Sequence, residues 1–181
     1  MAQPSSTPPQ TTALDSKTRI DITKDQLNRT LSFFSRVDGK ASVVLAVDTA
    51  MLGLLGANAP PFSEFTWYMA AAAISTALLI GLSLWHIYKE AFPKLDGAEE
   101  SLIYFRAIAK RKEQRFIEEF LGQSDADYLK DMLSQTWRNS EILTIKFDHI
   151  RRAFNCLALS IPPWLITLTL FVRVHQGSLF K

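Results

Sequence analysis

Residues 41–59 read ASVVLAVDTAMLGLLGANA, a run of apolar and small residues with one charge, Asp48. A membrane-crossing helix needs about 20 predominantly apolar residues, so this stretch predicts a span. Working outward, Phe65 to Ile87 and Ala153 to Val172 have the same length and character. A hydrophobic content of 48% over 181 residues also suits a water-soluble domain. The average conceals three apolar stretches, a polar leader, a charged middle segment and a short tail. The predicted fold class is therefore an all-α membrane protein with three transmembrane helices. An N-terminal hairpin and a C-terminal helix flank a cytoplasmic helical hairpin, and no large catalytic core fits in the remainder.

Lys and Arg tend to remain on the cytoplasmic side of a membrane. Residues 1–40 hold six of them (Lys17, Arg19, Lys24, Arg29, Arg36, Lys40), and 88–152 hold twelve. The loop at 60–64 holds none, and the tail holds only Arg173 and Lys181. This predicts a cytoplasmic N-terminus and middle segment and a periplasmic C-terminus. Twelve acids from Glu90 to Asp148 cancel the middle segment's twelve cations. A nucleic-acid polymer is thus not the expected partner, because its readers carry a net basic face. One cysteine, Cys156, permits no disulfide within the chain.

Residues 1–22 open with MAQPSSTPPQTT and are expected to be a disordered leader. A helix is expected from Thr23, where Thr23-Lys24-Asp25-Gln26 has capping-box spacing and Leu27, Leu31 and Phe34 give one apolar face. Domain 23–87 would comprise this helix and the hairpin of spans 41–59 and 65–87. Ala59-Pro60-Pro61 ends the first span, because a proline denies its predecessor the helical conformation. Trp67 and Tyr68 mark one membrane interface, and Trp85 and Tyr88 the other. In the 88–152 domain, beyond Phe92-Pro93, Glu99 to Leu121 predicts a helix, with Leu102, Phe105, Ile108, Phe116 and Phe120 at helical spacing. Gly122-Gln123 breaks it, and Ser124-Asp125-Ala126-Asp127 starts another that runs unbroken to Pro162. The third span is assigned to 153–174 and the outward tail to 175–181.

Polar residues inside spans require a reason. A carboxylate at the centre of a membrane helix costs about 2.5–3.5 kcal/mol on insertion scales. Asp48 must therefore face protein or water, as a conduction or gating group or as a partner to a neighbouring helix. Pro162 and Pro163 remove backbone donors, predicting a kink or turn in the third span. Asp38 and Lys40, two residues apart, cannot face each other on a helix and need partners elsewhere. Asp38, Lys40, Asp48, Pro162 and Pro163 form the candidate gating or assembly set. The alanines at 70–73, with Ser75 and Ala77, allow close helix approach, within one chain or in a homo-oligomer.

His86, His149 and His175 are scattered along the chain, so no metal site is predicted. No phosphate-binding glycine loop, dinucleotide fingerprint or nucleophile elbow is present, and an enzyme is the least supported class. The middle segment combines Arg106, Lys110, Arg111, Arg115, Arg138 and Lys146 with Tyr104, Trp137 and Asn139. Between helices, such groups could grip a phosphate and stack a base, or they could form a solvated face of ion pairs.

One block reads Arg36-Val37-Asp38-Gly39-Lys40-Ala41 with Leu45 and Asp48, and another Tyr104-Phe105 through Ile108. A third runs from Gln135 through Asn139-Ser140, Ile142 and Lys146 to Ala153. In these blocks the chain resembles the membrane effectors of Pycsar anti-phage defence, and the resemblance carries further expectations. It implies a bacterial inner-membrane protein activated by cyclic CMP or cyclic UMP from a partner cyclase, with membrane lipid as its target and no cofactor. Activation would disrupt the membrane and abort infection. Tyr104, Arg106, Lys110, Gln135, Arg138, Asn139 and Lys146 become the candidate nucleotide-binding residues. A constitutive membrane scaffold and a ligand-independent holin-like toxin are the alternatives.

Overall fold

The computed structural model describes residues 14–92 and 100–179, with side chains to Val174. Its helices are α1 (Ser16–Ala57), α2 (Trp67–Ala91), α3 (Phe105–Ala109), α4 (Glu113–Leu121) and α5 (Asp125–Leu179), with a short 3-10 turn at Phe62–Glu64. Among the described residues there is no strand, and α1, α2 and α5 are each long and apolar enough to cross a membrane. The leader's first thirteen residues, Pro93, Glu99 and the last two residues of the tail lie outside the described residues.

Several boundaries differ from expectation, each for a local reason. α1 starts at Ser16, seven residues before Thr23, after Asp15, whose carbonyl accepts from Arg19 N at 3.0 Å. Arg19 Nε also donates to the Leu14 carbonyl at 3.0 Å. Residues 16–22 are therefore helical, and Thr23 is a buried position within α1. Leu31 is exposed whereas Leu27 is buried, because the buried face follows a 3.5-residue repeat that passes Leu31 by. Residues 105–121 form two helices, α3 and α4, because Arg111 folds back onto the carbonyls of Glu100, Ser101 and Ala107. At the start of α5, Ser124 Oγ accepts from Asp127 N at 3.2 Å and donates to Asp127 Oδ2 at 2.6 Å, closing the first turn.

α5 keeps its helical course through Pro162 and Pro163, where a turn had been one expectation. Each proline leaves the carbonyl four residues earlier without its backbone donor, here those of Ala158 and Leu159, a loss that membrane helices tolerate, and hydroxyls bond other carbonyls nearby. Ser160 Oγ donates to the Leu157 carbonyl at 2.7 Å, and Thr167 Oγ1 to that of Pro163 at 2.8 Å.

The chain divides into two compact units, 1–29 with 97–138 and 30–96 with 139–181. In the first, Ala107 and Met132 are buried together with Ser101, Gln135 and Thr136. Leu102 N donates to Asp131 Oδ2 at 2.8 Å, tying the segment ahead of α3 to α5. Phe120 meets Phe116 and Tyr128 edgewise or tilted, at 5.9 and 6.1 Å between ring centres.

The second unit packs α1, α2 and α5 along three seams. On α1 the buried positions are Val37, Ala41, Val44, Asp48, Met51 and Leu55, alternating steps of four and three. Thr76, Ile80, Ser83, Ile87 and Glu90 on α2 follow the same rule. So do Lys146, Ile150, Ala153, Leu157 and Ser160 on α5. A sustained 3.5-residue repeat is the signature of left-handed coiled-coil packing. Val37, Ala41, Val44 and Met51 meet Ile80, Ile87, Ile150 and Leu157 in one cluster. Leu55, Met69 and Phe171 make a second, near which Trp164 Nε1 donates to the Met51 carbonyl at 3.0 Å.

Outside the seams the polarity is the reverse of a water-soluble bundle. Val43, Leu45, Leu54, Ile74, Leu78, Leu82, Leu159 and Ile166 are exposed, while Asp48, Thr76, Ser83, Ser160 and Thr167 are fully buried. Lipid solvates the first set at no cost, and the second would be expensive there.

Candidate functional site

Polar side chains occupy the seams of the three-helix unit at regular intervals. On α2, Thr76, Ser83 and Glu90 are seven residues apart, and on α5 Lys146, Ser160 and Thr167 fall on the same register with Ala153 between. Two heptad turns of a coiled coil return a side chain to the same face, so each set lines one inward stripe. Asp48 is α1's contribution.

At one end of this stripe, Lys146 Nζ lies 2.6 Å from Asp38 Oδ1 and 2.7 Å from Glu90 Oε1. Glu90 is only 2% exposed and Lys146 7%, whereas Asp38 is 58% exposed. The ammonium also sits 5.9 Å from the Phe34 ring centre. One cation thus clamps all three long helices, and its essential partner is the carboxylate that water does not reach. Asp38 gains the distant partner its position demanded. Lys40 is over the Phe147 ring at 5.7 Å.

Asp48 sits midway along the stripe and is fully buried. Ser83 Oγ donates to its Oδ2 at 2.7 Å and also lies 3.1 Å from the Ala153 carbonyl oxygen. A hydroxyl has one hydrogen, so these two acceptors compete for it. Among the described residues Asp48 Oδ1 has no hydrogen-bond partner. Such under-satisfaction is uncommon in buried groups and marks a site under strain or one meant to be hydrated. Beyond it, the Thr76 and Thr167 hydroxyls lie 3.4 Å apart, each also within reach of a carbonyl of its own helix, so one can donate to the other only by releasing that carbonyl.

Of the residues expected to bind nucleotide, Tyr104, Arg106, Lys110, Gln135 and Arg138 belong to the first unit, whereas Asn139 and Lys146 belong to the second. Arg106 and Lys110 are exposed but engaged, Arg138 is half-buried and engaged, and Gln135 is buried. Tyr104 precedes α3 and packs edgewise on Phe105 at 5.1 Å. Lys146 is instead held by the buried clamp, with two donors committed to carboxylates.

Arg111 organises the first unit. It is 13% exposed, and Nε donates to Glu119 Oε2 at 2.9 Å, while Arg115 Nε donates to Oε1 at 2.6 Å. Arg115, and then Arg111, hold the Glu119 carboxyl below the usual carboxylate range. A depressed folded-state pKa adds stability above the unfolded value that is lost as pH falls through the folded one. Protection of the amides across 105–121, taken relative to the intrinsic exchange rate at each pH, is therefore expected to fall on acidification, and a Glu119→Gln variant should show reduced protection already at neutral pH.

Glu90 and Ser83 escaped sequence reasoning, because each lies in or beside a span where its partner comes from another helix. A seven-residue polar repeat on α2 was the available signal. His86 and His149, which look scattered in the sequence, are brought together, with Nδ1 atoms 3.2 Å apart and ring centres at 5.5 Å. Among the described residues no group of three or more His, Cys, Asp or Glu side chains could hold a metal ion.

Three helices long and apolar enough to cross a membrane, packed around a polar stripe with a buried carboxyl, define an all-α membrane protein. The chain matches the Pycsar effector protein domain over residues 22–173 and belongs to that family, the effectors of an anti-phage defence. No curated protein and no solved structure matches it.

Proposed function

We propose that this Pycsar effector is switched on by a cyclic pyrimidine mononucleotide, cyclic CMP or cyclic UMP, and then breaches the bacterial inner membrane to abort infection. The observation that carries the reading is Asp48, a fully buried and half-satisfied carboxyl within a membrane-spanning bundle. A purely structural anchor gains nothing from an acid whose burial costs free energy on this scale. If the seams part, water reaches Asp48, Ser83 and the threonines, and the stripe becomes the lining of a leak. The cationic and aromatic groups of the first unit, Arg106, Lys110, Arg138 and Tyr104, supply phosphate and base contacts. α5 contributes residues to both units and is the element through which binding biases the spans. A ligand shifts such an equilibrium only by its differential affinity for the two states.

The charge distribution supports a cytoplasmic N-terminus and first unit, where a soluble messenger arrives, and a periplasmic C-terminus. Assembly of several copies would supply the aperture that three helices alone cannot. Purified protein in dye-loaded liposomes tests the reading: leakage is expected on adding one cyclic pyrimidine nucleotide and absent with cyclic AMP. Leakage without nucleotide would instead identify a holin-like toxin, and nucleotide binding by neither pyrimidine would favour a constitutive scaffold.

A further inference from the structure

A groove of about 1110 Å³ runs between α1 and α5 on the outside of the three-helix unit. It is separate from the buried stripe. Its walls are Phe33, Arg36, Lys40 and Val43 on one side and Phe147, Arg151 and Phe154 on the other. The first span begins at Ala41 and the third at Ala153, so the groove straddles the level where both helices enter the bilayer. The cations lie ahead of those points, and Val43, Val44 and Phe154 lie up to about 5 Å inside them at 1.5 Å per residue. Polarity along the groove therefore changes from charged to apolar in the direction in which a bilayer changes.

The cations are prepared for an anion. Arg36 stacks on Phe33 at 5.1 Å and Lys40 on Phe147 at 5.7 Å, which holds their heads in place through cation–π contact. Among the described residues Arg36, Lys40 and Arg151 make no salt bridge. Asp148 is the one acid in the wall, leaving a net excess of two positive charges. We infer that the groove holds one anionic phospholipid, its phosphate gripped by Arg36, Lys40 and Arg151 and an acyl chain laid along Val43 and Phe154. A second copy of the chain is the poorer occupant, since a two-fold pairing would set these cations against each other. Basic groups at a membrane surface favour anionic lipid by about 5-fold each, so three together give roughly 100-fold selectivity.

The test uses the full chain in neutral detergent micelles, with phosphatidylglycerol, phosphatidylcholine or free glycerol 3-phosphate added. Native mass spectrometry should show one phosphatidylglycerol retained per protomer, and thermal unfolding should shift upward with that lipid alone. The R36Q/K40Q/R151Q variant should weaken the lipid's effect on the order of 100-fold. Gly39 also lines the groove, and a Cβ there meets no atom within 4 Å. Gly39→Leu should thus fold at least as well as the parent, since leucine favours helix over glycine, while crowding the phosphate between Arg36 and Lys40 and weakening lipid retention at least 10-fold. Equal stabilisation by phosphatidylcholine, undiminished retention in both variants, a matching effect of glycerol 3-phosphate, or a dimer that G39L dissociates would each overturn the assignment.

Discussion

Lys146→Ala is expected to be the most damaging single substitution in the chain. It leaves Glu90, 2% exposed, as a carboxylate with neither water nor a cation beside it. Removing one member of a buried pair costs about 3–5 kcal/mol, mostly because the survivor is stranded. For a protein of this size that corresponds to a fall of roughly 10 °C in the unfolding midpoint, or to failure to accumulate. Asp38→Asn should be much milder, because Asp38 is 58% exposed and its ion pair is screened by solvent. The double variant K146M/E90M removes both buried charges together and should recover most of the loss, since well-packed apolar replacements of a buried pair are often neutral or better. Thermal unfolding in detergent measures all three. A K146A protein as stable as the parent, or a double variant no better than the single, would show that the clamp does not hold the helices together.

The clamp also illustrates what a single sequence reveals. Segments 41–59, 65–87 and 153–172 announce themselves because crossing a bilayer requires length and apolarity along one continuous stretch. Asp48 was legible for the same reason, as an expensive exception in such a stretch. Lys146 was legible as one cation of the middle segment and as part of the Gln135-to-Ala153 resemblance, both of which suggested a nucleotide contact. Its neighbours in the structure come from positions 38 and 90, more than fifty residues away in each case. Nothing local specifies that pairing; the register of three packed helices does. The early start of α1 at Ser16 and the division between α3 and α4 have a similar origin. In each, a side chain, Arg19 or Arg111, bonds to backbone outside the helical repeat.

Substitutions at Asp48 are expected to separate folding from membrane disruption more cleanly than any others. Asp48→Asn keeps the shape and supplies an amide that can donate to Ser83 Oγ, freeing the serine hydrogen for the Ala153 carbonyl. Both contacts are then satisfied at once, where the parent's single hydroxyl hydrogen must choose. Hydrogen bonds between membrane helices average only about 0.6 kcal/mol, so stability should change by less than about 1 kcal/mol either way. Asp48→Leu removes an acid whose insertion costs about 2.5–3.5 kcal/mol and should accumulate at least as well as the parent. On the proposed mechanism both variants bind the cyclic nucleotide normally, yet their nucleotide-triggered liposome leakage falls, by roughly 10-fold for the asparagine and to background for the leucine. The reason is that a seam without its acid has less to gain from water and stays closed. Folded D48L that leaks like the parent would remove Asp48 from the mechanism. A D48N protein that fails to fold would make the carboxyl a structural partner, and the membrane breach would then have to arise elsewhere in the assembly.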